Sequence, residues 1–294
     1  DRVHATQFLC SFAQGVDVQS QAITDITNQM ILCDRNSLEA IFVVDPLNGL
    51  NRREFANLPW GWAANFANPD VRAAFKNFTL RIVREYHPRY LGLASEINTY
   101  ADAFPEDYPN YVSLYQEVYT AVKAEAPETQ IFATFQWEDL NNLYEGANEG
   151  RKPYDTNWQV VDALEPNLDL WVISTYPFGA FHSAAEIPDD YYTPLLVRTS
   201  KPLAVAEGGF SSVPMEPFGG SDADQIAYIT GIHDQLGPRL AFWIYIIIND
   251  LDMDSYAPNM KKDQDTLAWF TRMGFFDVDG NPKPALEVWD GFRK

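Results

Sequence analysis

Cysteine is almost absent from the chain: its 294 residues contain two, Cys10 and Cys33. That excludes a small fold held by disulfides. Cys10 falls late in a predicted strand and Cys33 ends the helix that follows it. An antiparallel strand and helix set those positions at opposite ends of one unit, beyond the roughly 7 Å Cα separation a bridge tolerates. Both thiols are therefore expected to be reduced and buried. Histidine is scarce as well. His4, His87, His182 and His233 are scattered without ligand spacing, so no metal site is expected. Basic residues number 21 against 41 acidic ones, a net charge of −20 that repels phosphate backbones and excludes nucleic acid as a partner. No apolar stretch approaches the roughly 20 residues of a membrane span. The longest, over 240–248, is broken by Asn249 and Asp250 and reads as a buried strand. Glycine-rich phosphate loops are missing after every predicted strand, so no nucleotide cofactor and no phosphorylated substrate is expected.

What is present is apolar and aromatic: 46% and 14% of the residues, enough for a large core. Seven apolar runs of strand length occur at 5–12, 38–45, 90–96, 130–137, 168–176, 202–207 and 240–248. Their apolar residues are consecutive rather than alternating, as in parallel strands covered on both faces. Helical stripes separate them. Val71, Phe75, Phe78, Ile82 and Tyr86 repeat at three and four, opened by Asn68-Pro69-Asp70 and stopped before Pro88. Tyr111, Leu114, Tyr115, Val118 and Val122 form a second stripe, and Gln225, Tyr228, Ile229 and Ile232 a third. With no linker and no fixed repeat, 1–294 reads as a single α/β domain, a (β/α)8 barrel. Only seven strands are evident. The first begins almost at once, so either a strand precedes Asp1 or something else, such as self-association, covers the exposed edges. The chain opens without Met and without a leader pattern, which predicts a removed targeting segment or a piece of a longer protein; a secreted or cell-envelope location is expected, with a cytoplasmic one as the alternative.

Two predicted strands end in glutamate, Gly92-Leu93-Ala94-Ser95-Glu96-Ile97-Asn98 and Pro202-Leu203-Ala204-Val205-Ala206-Glu207-Gly208-Gly209. In a (β/α)8 barrel the carboxyl ends of all strands face one mouth. Two carboxylates about half a barrel apart can face each other there, as a retaining glycosidase requires of its acid/base and its nucleophile. A lone strand-end Glu more often caps a helix; two so placed favour function.

These segments resemble clan A of the glycoside hydrolases, near its endo-β-galactanase and β-1,3-glucanase branches. The resemblance implies acid/base Glu96 at the fourth strand and nucleophile Glu207 at the seventh. Leu168-Asp169-Leu170-Trp171-Val172-Ile173-Ser174-Thr175-Tyr176-Pro177 is similar to the clan's sixth strand, whose Tyr, here Tyr176, hydrogen-bonds the nucleophile. The tail from Asp277 through Gly280, Pro284 and Trp289 resembles the clan's final segment. By this alignment the run at 5–12 is the second strand. The clan places Asn before its acid/base to hold the sugar 2-hydroxyl; this chain has Ser95, one short hydroxyl in place of an amide. Asn98 is the candidate to compensate.

Further substrate-binding candidates are Gln136, Asp45 and Asn48, and among aromatics Trp137, Trp243, Trp60 and Trp62, whose flat rings suit the apolar faces of sugars. Trp137 is the favoured platform; Trp243 is equally readable as core, and Trp60 and Trp62 as covers of the barrel edge. Asp45-Pro46 is also an ordinary turn opening. Asn77-Phe78-Thr79 fits a glycosylation sequon, but Phe78 lies on an apolar stripe and chance explains it better. The expected function is cleavage of a β-linked poly- or oligosaccharide without cofactor. The alternative is a weak or inactive barrel that binds carbohydrate or self-assembles.

Overall fold

The computed structural model describes residues 5–10, 21–144, 150–215, 217–255 and 266–292. Ten strands and nine α-helices are used below. The strands are β1 (Ala5–Cys10), β2 (Glu39–Val44), β3 (Leu47–Asn48), β4 (Asn51–Phe55), β5 (Tyr90–Gly92), β6 (Gln130–Phe132), β7 (Thr134–Gln136), β8 (Trp171–Thr175), β9 (Leu203–Gly208) and β10 (Leu240–Trp243). The helices are α1 (Gln21–Asn36), α2 (Pro69–Tyr86), α3 (Ile97–Ala103), α4 (Tyr108–Glu125), α5 (Trp137–Leu140), α6 (Trp158–Asp162), α7 (Thr193–Arg198), α8 (Asp222–Leu236) and α9 (Pro284–Gly291).

Local chemistry sets the long helices. Asn68 caps α2, its side chain accepting from Asp70 N at 2.9 Å, with Pro69 in the first turn, where a missing N–H costs nothing. The helix stops at His87 in left-handed geometry, directly before Pro88. Val71, Phe75, Phe78 and Ile82 are buried, as are Tyr111, Leu114, Tyr115, Val118 and Val122 on α4. Ser221 caps α8 through Asp224 N, and the buried Gln225 one turn on donates to Tyr245 Oη and to the carbonyls of Met273 and Gly274. That amide ties the segment before α9 to the barrel wall.

All seven predicted runs contain strands, and the strands of the main sheets pair in parallel. Two four-stranded sheets run β1-β2-β5-β6 and β10-β9-β8-β7. β6 and β7 are one predicted run interrupted at Ala133, so a single strand serves both sheets and joins them into one arc. Ile41, Val43, Tyr90, Phe132, Leu170, Val172, Ala204, Ala206 and Phe242 pack together on its inner side. The larger core lies between the strands and the helices outside. Gly92 admits Phe132 to the interior: a Cβ there would stand 2.9 Å from the phenyl ring. Among the described residues neither β1 nor β10 has a second neighbour within its sheet. The architecture is a (β/α) barrel to which the described residues contribute seven parallel strands.

Strand ends depart from the predicted runs where the mouth begins. The run at 90–96 is extended only through Gly92, because Ala94 (φ 144°) and Glu96 (φ 50°) turn the chain away. The run at 240–248 ends at Trp243. Cys33 is buried with a free thiol; the side chain of Cys10, and His4, lie outside the described residues. Among the described residues no helix is long and apolar enough to cross a membrane.

Candidate active site

Glu207 reaches the mouth because β9 carries an extra residue. Ile173 pairs with Val205 but Ser174 pairs with Glu207, so Ala206 is skipped. Ala204 and Ala206 belong to the inner cluster and Val205 to the outer core. Strict alternation would turn Glu207 outward with Val205, and the bulge turns it back in. Behind it Gly208 accepts the close approach of β8 and α8: a Cβ would lie 2.2 Å from Tyr228 Oη and 2.6 Å from Thr175 O. Tyr176 Oη donates to Glu207 Oε1 at 2.7 Å. Burial and the charge of Glu96 push the Glu207 carboxyl up to about 7, against the opposing pull of Arg52 and of the Tyr176 hydrogen bond. Burial and the Glu207 charge in turn hold the Tyr176 phenol well above its usual range, so it stays a donor.

Glu96 is held on all sides. Its left-handed backbone (φ 50°, ψ 43°) ends the turn that leaves β5 and starts α3, an uncommon conformation for a side chain of this kind. Its N–H donates to Thr134 Oγ1 at 2.7 Å. Ser174 Oγ donates to Oε1 at 2.5 Å, and Arg52 Nε to Oε2 at 3.2 Å. Arg52 spends Nη1 on Asp45 at 2.5 Å, and the pair is 5% and 3% exposed. Desolvation pushes the Asp45 carboxyl upward, against the stabilising pull of Arg52. The hairpin β3–β4 that carries Arg52 also walls a cavity of about 320 Å³, lined by Asp45, Asn48, Arg52, Phe55 and Asn57 among others. Arg52 thus belongs both to this cavity and to the environment of Glu96.

Several residues proposed from the sequence as sugar contacts are engaged elsewhere. Trp137 is 1% exposed, packed between Trp158, Tyr191 and Tyr192, and offers no face to a ligand. Its place as the favoured platform is corrected: a Trp ending a strand turned into α5 and became core. Trp243 meets Trp289 edge-on and stacks on Phe292 outside the sheet, the core reading of the two. Gln136 caps α5, accepting from Asp139 N while its amide donates to Glu138 and Tyr144. Asn98 is 1% exposed, with its oxygen on Gln136 N and its amide on Gln136 O and Asp139, so it has nothing left for a 2-hydroxyl. Ser95 is fully buried, and its hydroxyl has no partner among the described residues. Asn48 Oδ1 accepts from Leu50 N, leaving its amide toward the cavity, and Asp45 serves Arg52 and Leu47 N. Trp62 is partly buried against the core, whereas Trp60 stands 101% exposed in the loop between β4 and α2.

The structure adds groups the sequence did not single out. Arg52, in the polar stretch Asn51-Arg52-Arg53-Glu54, gave no signal beyond its charge. Glu138 had one: it too follows a strand end, after Gln136 and Trp137. It is fully buried and accepts from Gln136, Thr175, Tyr176 N and Tyr191. Asp139, pushed up to about 6 by burial, Asp102 and Glu96, completes the acidic wall.

No family model and no curated protein matches the chain, but solved structures do. An exo-β-1,4-mannosidase, Op5Man5, from Opitutaceae bacterium strain TAV5 superposes with a TM-score of 0.67 at 16% identity, over 98% of this chain and 52% of its own. The likeness is one of fold, that of (β/α)8 glycoside hydrolases. Fungal β-1,4-galactanases agree (TM-score 0.61, 13% identity, 97% and 86% of the two chains). So does a family 39 glycoside hydrolase from the gut symbiont Bacteroides cellulosilyticus WH2 (TM-score 0.59, 16% identity, 98% and 57%). The chain spans about half the length of the mannosidase it resembles.

Proposed function

We propose that the chain is a retaining glycoside hydrolase acting on a β-linked poly- or oligosaccharide. The observation that carries the reading is the pair Glu96 and Glu207, on the turn after β5 and on β9, near enough that the charge of Glu96 raises the Glu207 carboxyl, with Arg52 between them in charge. The likeness to (β/α)8 glycosidases, a β-1,4-mannosidase and β-1,4-galactanases among them, supports it.

In the forward step the Glu207 carboxylate attacks the anomeric carbon and Glu96 gives its proton to the departing glycosidic oxygen, leaving a glycosyl ester. Glu96, now a carboxylate, takes a proton from water, whose oxygen attacks the same carbon and releases Glu207. The contacts around Glu96 tolerate both states. When Oε1 carries the proton it donates to Ser174 Oγ, a hydroxyl that also accepts, while Oε2 keeps accepting from Arg52. When the proton leaves, Ser174 turns back into a donor. Tyr176 fixes the lone pair of Glu207 that does not attack.

The buried, unpartnered Ser95 favours a second reading, a barrel that binds carbohydrate and turns it over weakly or not at all, since no amide stands there for the 2-hydroxyl. A hydrolysis screen over β-linked polysaccharides and aryl β-glycosides, with Glu207→Gln beside the parent, separates the two. Cleavage lost in the variant supports the hydrolase. Binding of a polysaccharide without cleavage by the parent supports the alternative.

A further inference from the structure

Arg52 enters the site from neither strand that supplies a carboxylate. It stands on β4, and its guanidinium is divided: Nη1 to Asp45, Nε to Glu96. Asp45 is itself fixed, accepting from Leu47 N at 3.0 Å. A buried cation with one end clamped has no freedom to swing, so its other end defines where Glu96 Oε2 can sit. We infer that Arg52 is a positioning residue of this site: clamped by Asp45, it aims Glu96 at the leaving oxygen, and its charge keeps Glu207 available as the attacking carboxylate.

The charged surroundings sharpen the second half. From the end of β2, from β5 and from β9 the carboxylates Asp45, Glu96 and Glu207 converge on the one guanidinium. Asp139 on α5 and the phenols of Tyr144 and Tyr176 also feel Glu96. For Glu207, Glu96 and Asp45 favour the proton, while Arg52 and the Tyr176 hydrogen bond oppose it. Removing the cation and removing Asp45 must therefore move Glu207 in opposite directions. A residue that merely held the hairpin in place would not produce that pattern.

The test needs no substrate for its first arm. The carboxyl carbons of the glutamates are labelled with ¹³C and titrated, the Glu207 signal being the one lost in Glu207→Gln. Arg52→Gln is expected to raise its midpoint from about 7 by about one pH unit or more, Asp45→Asn to lower it, and Arg52→Lys to return it part of the way. Should Arg52→Gln fail to fold, the paired Arg52→Gln/Asp45→Asn variant does not strand the Asp45 carboxylate without its cation and is expected to show a smaller rise. An unchanged midpoint, or shifts of one sign in both single variants, overturns the inference. The second arm rests on the hydrolase reading. A dinitrophenyl β-glycoside leaves without help from an acid; an alkyl glycoside does not. The Arg52 variant is expected to lose at least tenfold more on the alkyl glycoside, and equal losses overturn the aiming role. If no protein cleaves either substrate the hydrolase reading falls, while the titration still decides Arg52.

Discussion

Glu138 is sealed from water and Glu207 only partly so, yet they grip the same residue: Glu138 accepts the backbone N–H of Tyr176, Glu207 its phenol. Their hydrogen-bond inventories differ. Glu138 has all four lone-pair sites occupied, by Gln136 and Tyr176 N on one oxygen and by Thr175 and Tyr191 on the other. Glu207 has one donor and otherwise faces charges. A saturated carboxylate is fixed and spends its binding capacity on the fold. An undersaturated one keeps lone pairs free for a reaction and is left with a raised proton affinity. The pair shows how one strand-end residue type yields a structural post and a candidate nucleophile in the same wall.

The largest expected effect would break that contrast at Glu207. Glu207→Gln keeps the shape and the Tyr176 contact but has no nucleophilic oxygen, so kcat should fall about 10⁴-fold or more, as for loss of a covalent catalyst. Its melting temperature should hold or rise. Glu138→Ala should do the reverse to stability. It strands the donors of Gln136, Thr175, Tyr176 and Tyr191 in a dry site, and urea unfolding should show a loss of about 3–5 kcal/mol. If Glu138→Ala were as stable as the parent, saturation would not be the mark of a structural role.

The next effect is in pH. Glu207 titrates near 7 in the folded chain against an ordinary 4.5, so between those values the native state holds a proton the unfolded state has released. Stability from this group is therefore present in full below pH 4.5 and lost as pH rises through 7, about 3 kcal/mol in all. Parent minus Glu207→Gln stability, measured from pH 4 to 8, should fall along that window. Turnover should fall through the same window, because the mechanism needs one proton left in the Glu96–Glu207 pair, on Glu96, and the pair loses it as pH rises through about 7. A flat difference across the window would mean that Glu207 is more solvated than its surroundings suggest.

Strand positions were legible because parallel strands buried on both faces leave dense apolar runs, and the strand-end glutamates were legible because nothing about solubility asks for them there. The structure brings Glu96, Glu207 and Tyr176 together from three separate runs. Their neighbours were not readable in the same way. Whether Glu207 points inward depends on one skipped residue, Ala206, which leaves no mark in composition. Arg52 gains its place from a hairpin that begins three residues after β2, and its partners are 7 and 44 positions away in sequence. Trp137 misled for a physical reason: the same large ring that suits a sugar is also the best filler for the gap beside Trp158 and Tyr192.

The smallest expected effect concerns Ser95, the residue at which the resemblance to clan A leads us to expect Asn. Its hydroxyl is sealed from solvent and bonded to nothing among the described residues, a polar atom that costs free energy rather than supplying it. Ser95→Ala removes that atom with little change of volume, so unfolding measurements should show neutrality or a gain of up to about 1 kcal/mol. Turnover should stay within about twofold, since a group with no exposed surface touches no sugar in this arrangement. A tenfold loss of activity on Ser95→Ala, with stability unchanged, would show that the turn from Ala94 to Glu96 opens when substrate binds and brings the hydroxyl to the ligand. The sugar 2-hydroxyl would then have its partner after all, and the mouth seen here would be the closed form of the site.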